Sequence, residues 1–136
     1  MIKIGLTGGI GSGKSSVSQY LVELGAYIFE ADNEAKKIID TNKTTQNELI
    51  AEFGTDVLNA ENKIDKKKLA KIAFQDEDHQ SRLNAIIHPY VFDEIDSHFD
   101  KISSENNHSL FVVDAALIYE SGADTHMDYI VVVSSH

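Results

Sequence analysis

At 136 residues, with 42% apolar content and a formal charge of −10, the chain has the size and make-up of one globular domain with a real core. The negative balance argues against a nucleic-acid-binding surface, which wants a basic stripe, and the lack of cysteine rules out a disulfide framework and fits the cytoplasm. No apolar stretch is long enough to span a bilayer, and the N-terminus lacks the basic region and cleavage site of a secretion signal.

The first predicted element is a buried strand over Ile2–Leu6, within the apolar run from Met1 to Thr7. Gly8 to Ser15 then reads Gly-Gly-Ile-Gly-Ser-Gly-Lys-Ser, a complete phosphate-binding loop of the form G-x-x-x-x-G-K-[ST]. From Lys14 to Leu24 the apolar residues Val17, Tyr20, Leu21 and Leu24 fall at helical spacing, and Gly25 is a natural stop. The motif thus stands between a strand and a helix, the context its chemistry requires. Glycines bring backbone N–H groups close to phosphate oxygens, and the helix points its positive end at the same anion. The expected nucleotide-binding set is Gly8, Gly9, Gly11, Ser12, Gly13, Lys14, Ser15 and Ser16. Lys14 supplies a point charge for the β- and γ-phosphates, and the Ser15 hydroxyl suits a magnesium ion shared with the nucleotide.

Ala26–Phe29 is a short apolar run, predicted as the second strand, so the β–α–β order implies a parallel sheet. Helices are predicted over Glu34–Asp40, over Thr45–Phe53 with a stop at Gly54, and over Lys66–Phe74 behind Asp65 as N-cap, with a polar connector over Val57–Ile64. The triplet Lys66-Lys67-Lys68 with Lys71 reads as a solvated helix face. Glu77–Ile102 keeps a period near 3.6 through Leu83, Ile86, Ile87, Tyr90, Val91, Ile95, Phe99 and Ile102. Pro89, the single proline, predicts a kink there or a junction of two helices. Ser103–Ser109 reads as a polar loop, Leu110–Val113 as a strand ending at Asp114, and Tyr129–Val133 as a further buried strand. The fold class is α/β: a P-loop NTPase-type parallel sheet with flanking helices, built from residues 1–32 and 110–136, with an inserted helical block over 33–109.

In an open parallel sheet, ligands sit beyond the carboxyl ends of the strands. Glu30, Asp32 and Asp114 fall at such ends, expected to face one crevice with the phosphate loop. Asp32 reads equally well as a general base for an attacking hydroxyl, taken to stand on a strand neighbouring the first, or as an N-cap. Glu30 reads as a supporting or solvated group, and Asp114 as a carboxylate for the magnesium shell or a turn aspartate; whether Glu120 lines the cleft is open. His88, beside Pro89, reads as a structural polar group at a kink. Arg82 is the one arginine, a deficit for a phosphotransferase, since arginines on the transferring phosphoryl group are worth ~10³–10⁵ in rate.

Four stretches together resemble dephospho-CoA kinase: Gly5 to Ser15, Glu30-Ala31-Asp32, Arg82-Leu83-Asn84-Ala85-Ile86-Ile87-His88-Pro89, and Asp114-Ala115-Ala116-Leu117-Ile118-Tyr119-Glu120. The resemblance implies ATP-dependent phosphorylation, with magnesium, of the ribose 3′-hydroxyl of dephospho-CoA, the last step of coenzyme A synthesis. It implies Asp32 and Lys14 as catalytic, Asp32, Arg82 and His88 as substrate-binding, and Ser15 and Asp114 as metal-binding residues. It makes the helical block the part that embraces the CoA substrate. Glu30 stands where the family signature has Asp, and Ala116 where it has proline. The family's arginine-bearing lid and last strand are not matched, so the 136-residue form is expected to be catalytically impaired. The alternatives are another small-molecule P-loop kinase, or a nucleotide-binding module without catalysis. Against a monophosphate acceptor, the position after the second strand carries carboxylates where that substrate would want arginines.

Overall fold

The computed structural model describes residues 1–8, 13–115 and 126–134. The chain divides into two compact units, one of residues 1–33 and 92–136 and the other of residues 34–91.

The first unit is built on a four-stranded parallel sheet of order β2-β3-β1-β4, with β1 at Ile2–Gly8, β2 at Ala26–Glu30, β3 at Leu110–Asp114 and β4 at Tyr129–Val133. The parallel α/β expectation holds, and one feature of the order differs from the sequence reading. β2 does not adjoin β1; β3, which arrives more than a hundred residues after β1, lies between them. Burial decides this. β3 carries Phe111, Val112 and Val113, all essentially inaccessible, so it takes a place covered on both faces and flanked by strands on both edges.

One face of the sheet meets helix α1 (Lys14–Glu23): Val17 and Leu21 pack on a cluster of Leu6, Ala26 and Val112 ringed by Ile4, Ile28, Leu110 and Val133. Tyr20 and Leu24 were expected on that same helix face, but both are exposed. Only the i,i+4 stripe of Val17 and Leu21 reaches the sheet; Tyr20 stands to one side of it, and Leu24 falls past the last turn as the C-cap. The other face is aromatic. The Phe111 ring stacks on Tyr27 at 5.5 Å and meets the edge of Phe99 at 5.4 Å, while Phe29 meets His98 at 5.0 Å. Phe99 and His98 come from the C-terminal half of helix α5 (Glu77–Glu105). That half therefore groups with the sheet, although the sequence reading had the whole stretch to residue 109 in the helical block. Helix α5 also extends through Ser103 and Ser104 to Glu105, three residues, just under one turn, into the stretch expected as loop.

The second unit holds the rest of helix α2 (Ala31–Thr41), helix α3 (Lys43–Phe53), a 3-10 turn at Thr55–Val57, helix α4 (Lys66–Ala73) and the N-terminal half of α5. Its buried side chains are Ile38, Thr45, Leu49, Val57, Leu69, Ala73, Ile87 and Val91. Asp65 caps α4 as expected, accepting from the N–H groups of Lys67 and Lys68; α3 starts two residues earlier than the sequence reading has it, and its cap is Asn42, which accepts from the Thr45 N–H. Gly54 ends α3 with φ 80°, a left-handed value that disfavours any side chain. Helix α5 runs through Pro89 as one element, so the expected junction of two helices is not there. Pro89 removes the donor to the Ala85 carbonyl, and both residues are exposed, so that carbonyl is not shut in an apolar interior.

Candidate active site

The site is assembled at the carboxyl ends of the strands in the first unit. Gly8 ends β1; Gly9, Ile10, Gly11 and Ser12 lie outside the described residues, and the chain re-enters at Gly13. Gly13 has φ 89°, a left-handed value that favours glycine, and a Cβ placed there would meet nothing within 4 Å among the described residues. Gly13 is also the N-cap of α1 and, having no side chain, offers no side-chain cap to the N–H groups of the first turn.

Lys14, the first residue of α1, does not point into solvent. Its Nζ lies 2.8 Å from Oδ1 of Asp114, and the two side chains are only 20% and 18% exposed. Asp114 ends β3, and its register partners are Leu6 on β1 and Glu30 on β2. Among the described residues its second oxygen has no hydrogen-bond partner. Ser15 and Ser16 follow Lys14 in the first turn and are exposed. The hydroxyl of Ser15 and the carboxylate of Asp114 are hard oxygen donors, the kind magnesium prefers.

β2 passes into α2 with no intervening loop, since Glu30 ends the strand and Ala31 begins the helix. Asp32 therefore sits inside the first turn of α2 and is not its N-cap; the alternative weighed from spacing is set aside by the earlier helix start. Its carboxylate is exposed, and no hydrogen bond or ion pair engages it among the described residues. Glu30 is engaged: its Oε2 accepts from the Asn33 amide at 2.6 Å. Sequence reasoning passed over Asn33. The signal was its spacing of three from Glu30 across a strand–helix boundary, and the spacing was not readable while α2 was thought to begin at Glu34.

Arg82 and His88 belong to the second unit. The Arg82 guanidinium is committed locally: Nε donates to Glu52 Oε1 at 2.6 Å, Nη2 to the Glu52 carbonyl at 3.3 Å, Nη1 to Asp78 at 3.5 Å, and its carbon lies 5.4 Å from the centre of the Phe53 ring. The bond to Glu52 raises its pKa further above the ordinary arginine value. His88 is half-buried, and burial pushes its pKa below the usual histidine value. Of the lysines read as a solvated face, Lys66 pairs with Asp40 at 2.9 Å and Lys68 donates to the Leu58 carbonyl at 2.9 Å. Ala116 and Glu120 lie outside the described residues.

Comparison with known proteins points one way. A family profile described as Dephospho-CoA kinase matches residues 2–136. Proteins of that name from Fusobacterium nucleatum and Thermobifida fusca are 41% and 38% identical over 97% and 98% of the chain. The chain spans 66% and 65% of the length of these two relatives, just under two thirds. Among solved structures, a protein from Thermus thermophilus is similar with TM-score 0.72 and 26% identity, covering 98% of this chain and 65% of that one. A dephospho-CoA kinase from Campylobacter jejuni is similar with TM-score 0.70 and 29% identity, covering 96% and 64%.

Proposed function

The chain belongs to the dephospho-CoA kinase family, and from that premise we propose that it serves phosphoryl transfer from ATP to the ribose 3′-hydroxyl of dephospho-CoA. The observation that carries the reading is the convergence of Lys14, Asp114 and the uncapped start of α1 at one end of the parallel sheet, with Asp32 on the same end beyond β3. That end is where an open parallel sheet receives ligands.

The roles follow from chemistry. Gly8, Gly9, Gly11, Ser12, Gly13 and Ser16, the motif residues, are the proposed contacts to the polyphosphate, and the positive end of α1 adds to their pull. Lys14 contributes a localised positive charge to the β- and γ-phosphates. Ser15 and Asp114 are the residues that would hold magnesium, which when bound offsets charge on the phosphate oxygens. Asp32, exposed and unengaged, accepts the proton of the acceptor hydroxyl as it attacks, an effect worth ~10²–10⁴ in rate. Among the described residues Asp32 has no hydrogen-bond or ion-pair partner, whereas Glu30 accepts from Asn33. Arg82 and His88 are proposed contacts for the CoA-type substrate in the helical block. Arg82 would bring its free donor edges and not its Glu52 side, and a half-buried, neutral His88 would offer a hydrogen bond without a charge. No helix among the described residues is long and apolar enough to cross a membrane. The cysteine-free composition supports a reducing, cytoplasmic setting.

The test is ADP release coupled to dephospho-CoA addition. Turnover should require dephospho-CoA and fall by at least ~10²-fold in Asp32→Asn with little change in ATP affinity. ATP hydrolysis indifferent to dephospho-CoA, or an Asp32→Asn variant at full rate, would overturn the assignment.

A further inference from the structure

Asp32 is flanked by a polar pair to which the proposed chemistry gives no role. Glu30 ends β2, Asn33 stands in the first turn of α2, and the Asn33 amide donates to Glu30 Oε2 at 2.6 Å. Strand alternation fixes where Glu30 emerges. Ala26 and Ile28 belong to the cluster under α1, so Glu30, next in the same alternation, leaves the sheet on the side of α1, the helix that follows the phosphate-loop motif. Both members of the pair are exposed, and among the described residues Glu30 Oε1 and Asn33 Oδ1 have no hydrogen-bond partner. The pair therefore presents a fixed carboxylate oxygen beside Asp32. An exposed glutamate gives up rotamer freedom when it binds a ligand; the bond to Asn33 has already removed much of it.

The proposed acceptor is a ribose 3′-hydroxyl, and a ribose carries a second hydroxyl on the adjacent carbon. Asp32, acting on the reacting hydroxyl alone, does not tell a ribose from a 2′-deoxyribose. A second acceptor two residues away at the same end of the sheet does: a hydroxyl donates to a carboxylate, and a ligand lacking that hydroxyl leaves the acceptor unmatched. We infer that Glu30 is a specificity-determining residue that accepts a hydrogen bond from the 2′-hydroxyl beside the reacting group, and that Asn33 is its positioning residue. The inference rests on the phosphoryl-acceptor reading given above and adds which sugar the site admits. Glutamate, one carbon longer than the aspartate of the family signature, has more freedom to lose, and Asn33 is the tether that restrains it.

Calorimetric titration of dephospho-CoA, and of its analogue lacking the 2′-hydroxyl, tests this without relying on turnover. The wild-type chain should bind dephospho-CoA at least about tenfold more tightly than the analogue. Glu30→Ala removes the acceptor. It should weaken dephospho-CoA on the order of tenfold, leave the analogue within about threefold of wild type and so bring the two affinities together. Glu30→Val, suited to a strand end, repeats the measurement should the alanine variant fail to fold. Asn33→Ala keeps the carboxylate and unties it; it should cost dephospho-CoA roughly threefold, again sparing the analogue. Adding Glu30→Asp to Asn33→Ala should recover most of that loss, since the shorter side chain has less freedom to give up. A merely structural role for the pair would weaken both ligands alike and would not be rescued. The inference is overturned if the wild-type chain binds the two ligands equally, or if the Glu30 variants weaken both by the same factor. A wild-type chain that binds neither ligand would remove the acceptor reading itself and the inference with it, a different result from either of these.

Discussion

The unit formed by residues 1–33 and 92–136 holds three lysines against twelve acids, a formal charge of −9, while residues 34–91 hold eight lysines and Arg82 against ten acids, a formal charge of −1. The acidic unit is the one that carries the phosphate loop. Its carboxylates fall on the C-terminal half of α5, at the strand ends and ahead of β4, whereas its core is aliphatic on one face of the sheet and aromatic on the other. The near-neutral unit is tied together by polar links: Lys66 to Asp40, Lys68 to a carbonyl, Arg82 to Glu52, Tyr90 to Glu48. The contrast teaches that anion binding here is a local affair. A net charge for the whole chain says nothing about where a phosphate would go; on the proposed reading Lys14 and the start of α1 act at short range, where they count for more than a field that points the other way at greater distance.

The largest effects should come from the cores, where the two units differ in what fills them. Phe111→Ala removes the ring at the centre of the Tyr27, Phe29 and Phe99 cluster and should cost about 3–5 kcal/mol of unfolding free energy by denaturant titration. Leu49→Ala, at a fully buried position of the helical unit, should cost about 2–5 kcal/mol. Amide exchange would sharpen the comparison. If the units open separately, each variant deprotects its own unit first; uniform deprotection by either would show that they unfold as one.

A smaller effect, of opposite sign, is expected at Thr45. Its side chain is fully buried and its hydroxyl has no hydrogen-bond partner among the described residues, while its backbone N–H is held by Asn42. Thr45→Val should stabilise the protein by about 1 kcal/mol. A loss of stability would show that the hydroxyl has a partner after all.

Smaller again is the response to salt. Since the acidic unit repels a nucleotide at long range, raising ionic strength from about 0.01 to 0.2 M should speed ATP association by a few-fold, as seen by stopped-flow fluorescence of a labelled nucleotide. Slowing with salt would mean that the lysines of the helical unit govern the approach, reversing the comparison.

The smallest is a pH slope. Burial lowers the His88 pKa in the folded chain relative to the unfolded value near 6.5, so the unfolded state binds more protons as pH falls below that value. Stability should therefore be full above about pH 6.5 and decline below it, and His88→Asn should flatten that part of the curve in the difference from wild type. An unchanged slope would show that His88 gains charge in the folded chain without penalty.

Much of this was readable in one dimension. The phosphate-loop motif, the positions of the four strands, the N-cap at Asp65 and the stop at Gly54 are local: each depends on residues within a turn or two of one another, where backbone angles and hydrogen bonds are decided by neighbours in sequence; the burial expected for β4 is not local, and its residues are largely exposed. The family resemblance rests on the same kind of short, ordered motif. What could not be read locally was who stands beside whom. That β3 separates β1 from β2, that Asp114 ties up Lys14, that Asn33 holds Glu30, and that α5 continues through Pro89 and gives its second half to the sheet all depend on partners brought together by packing. Composition and periodicity name the groups that can react. Only burial of apolar faces, which sets the strand order and with it the distances between charges, decides which groups meet.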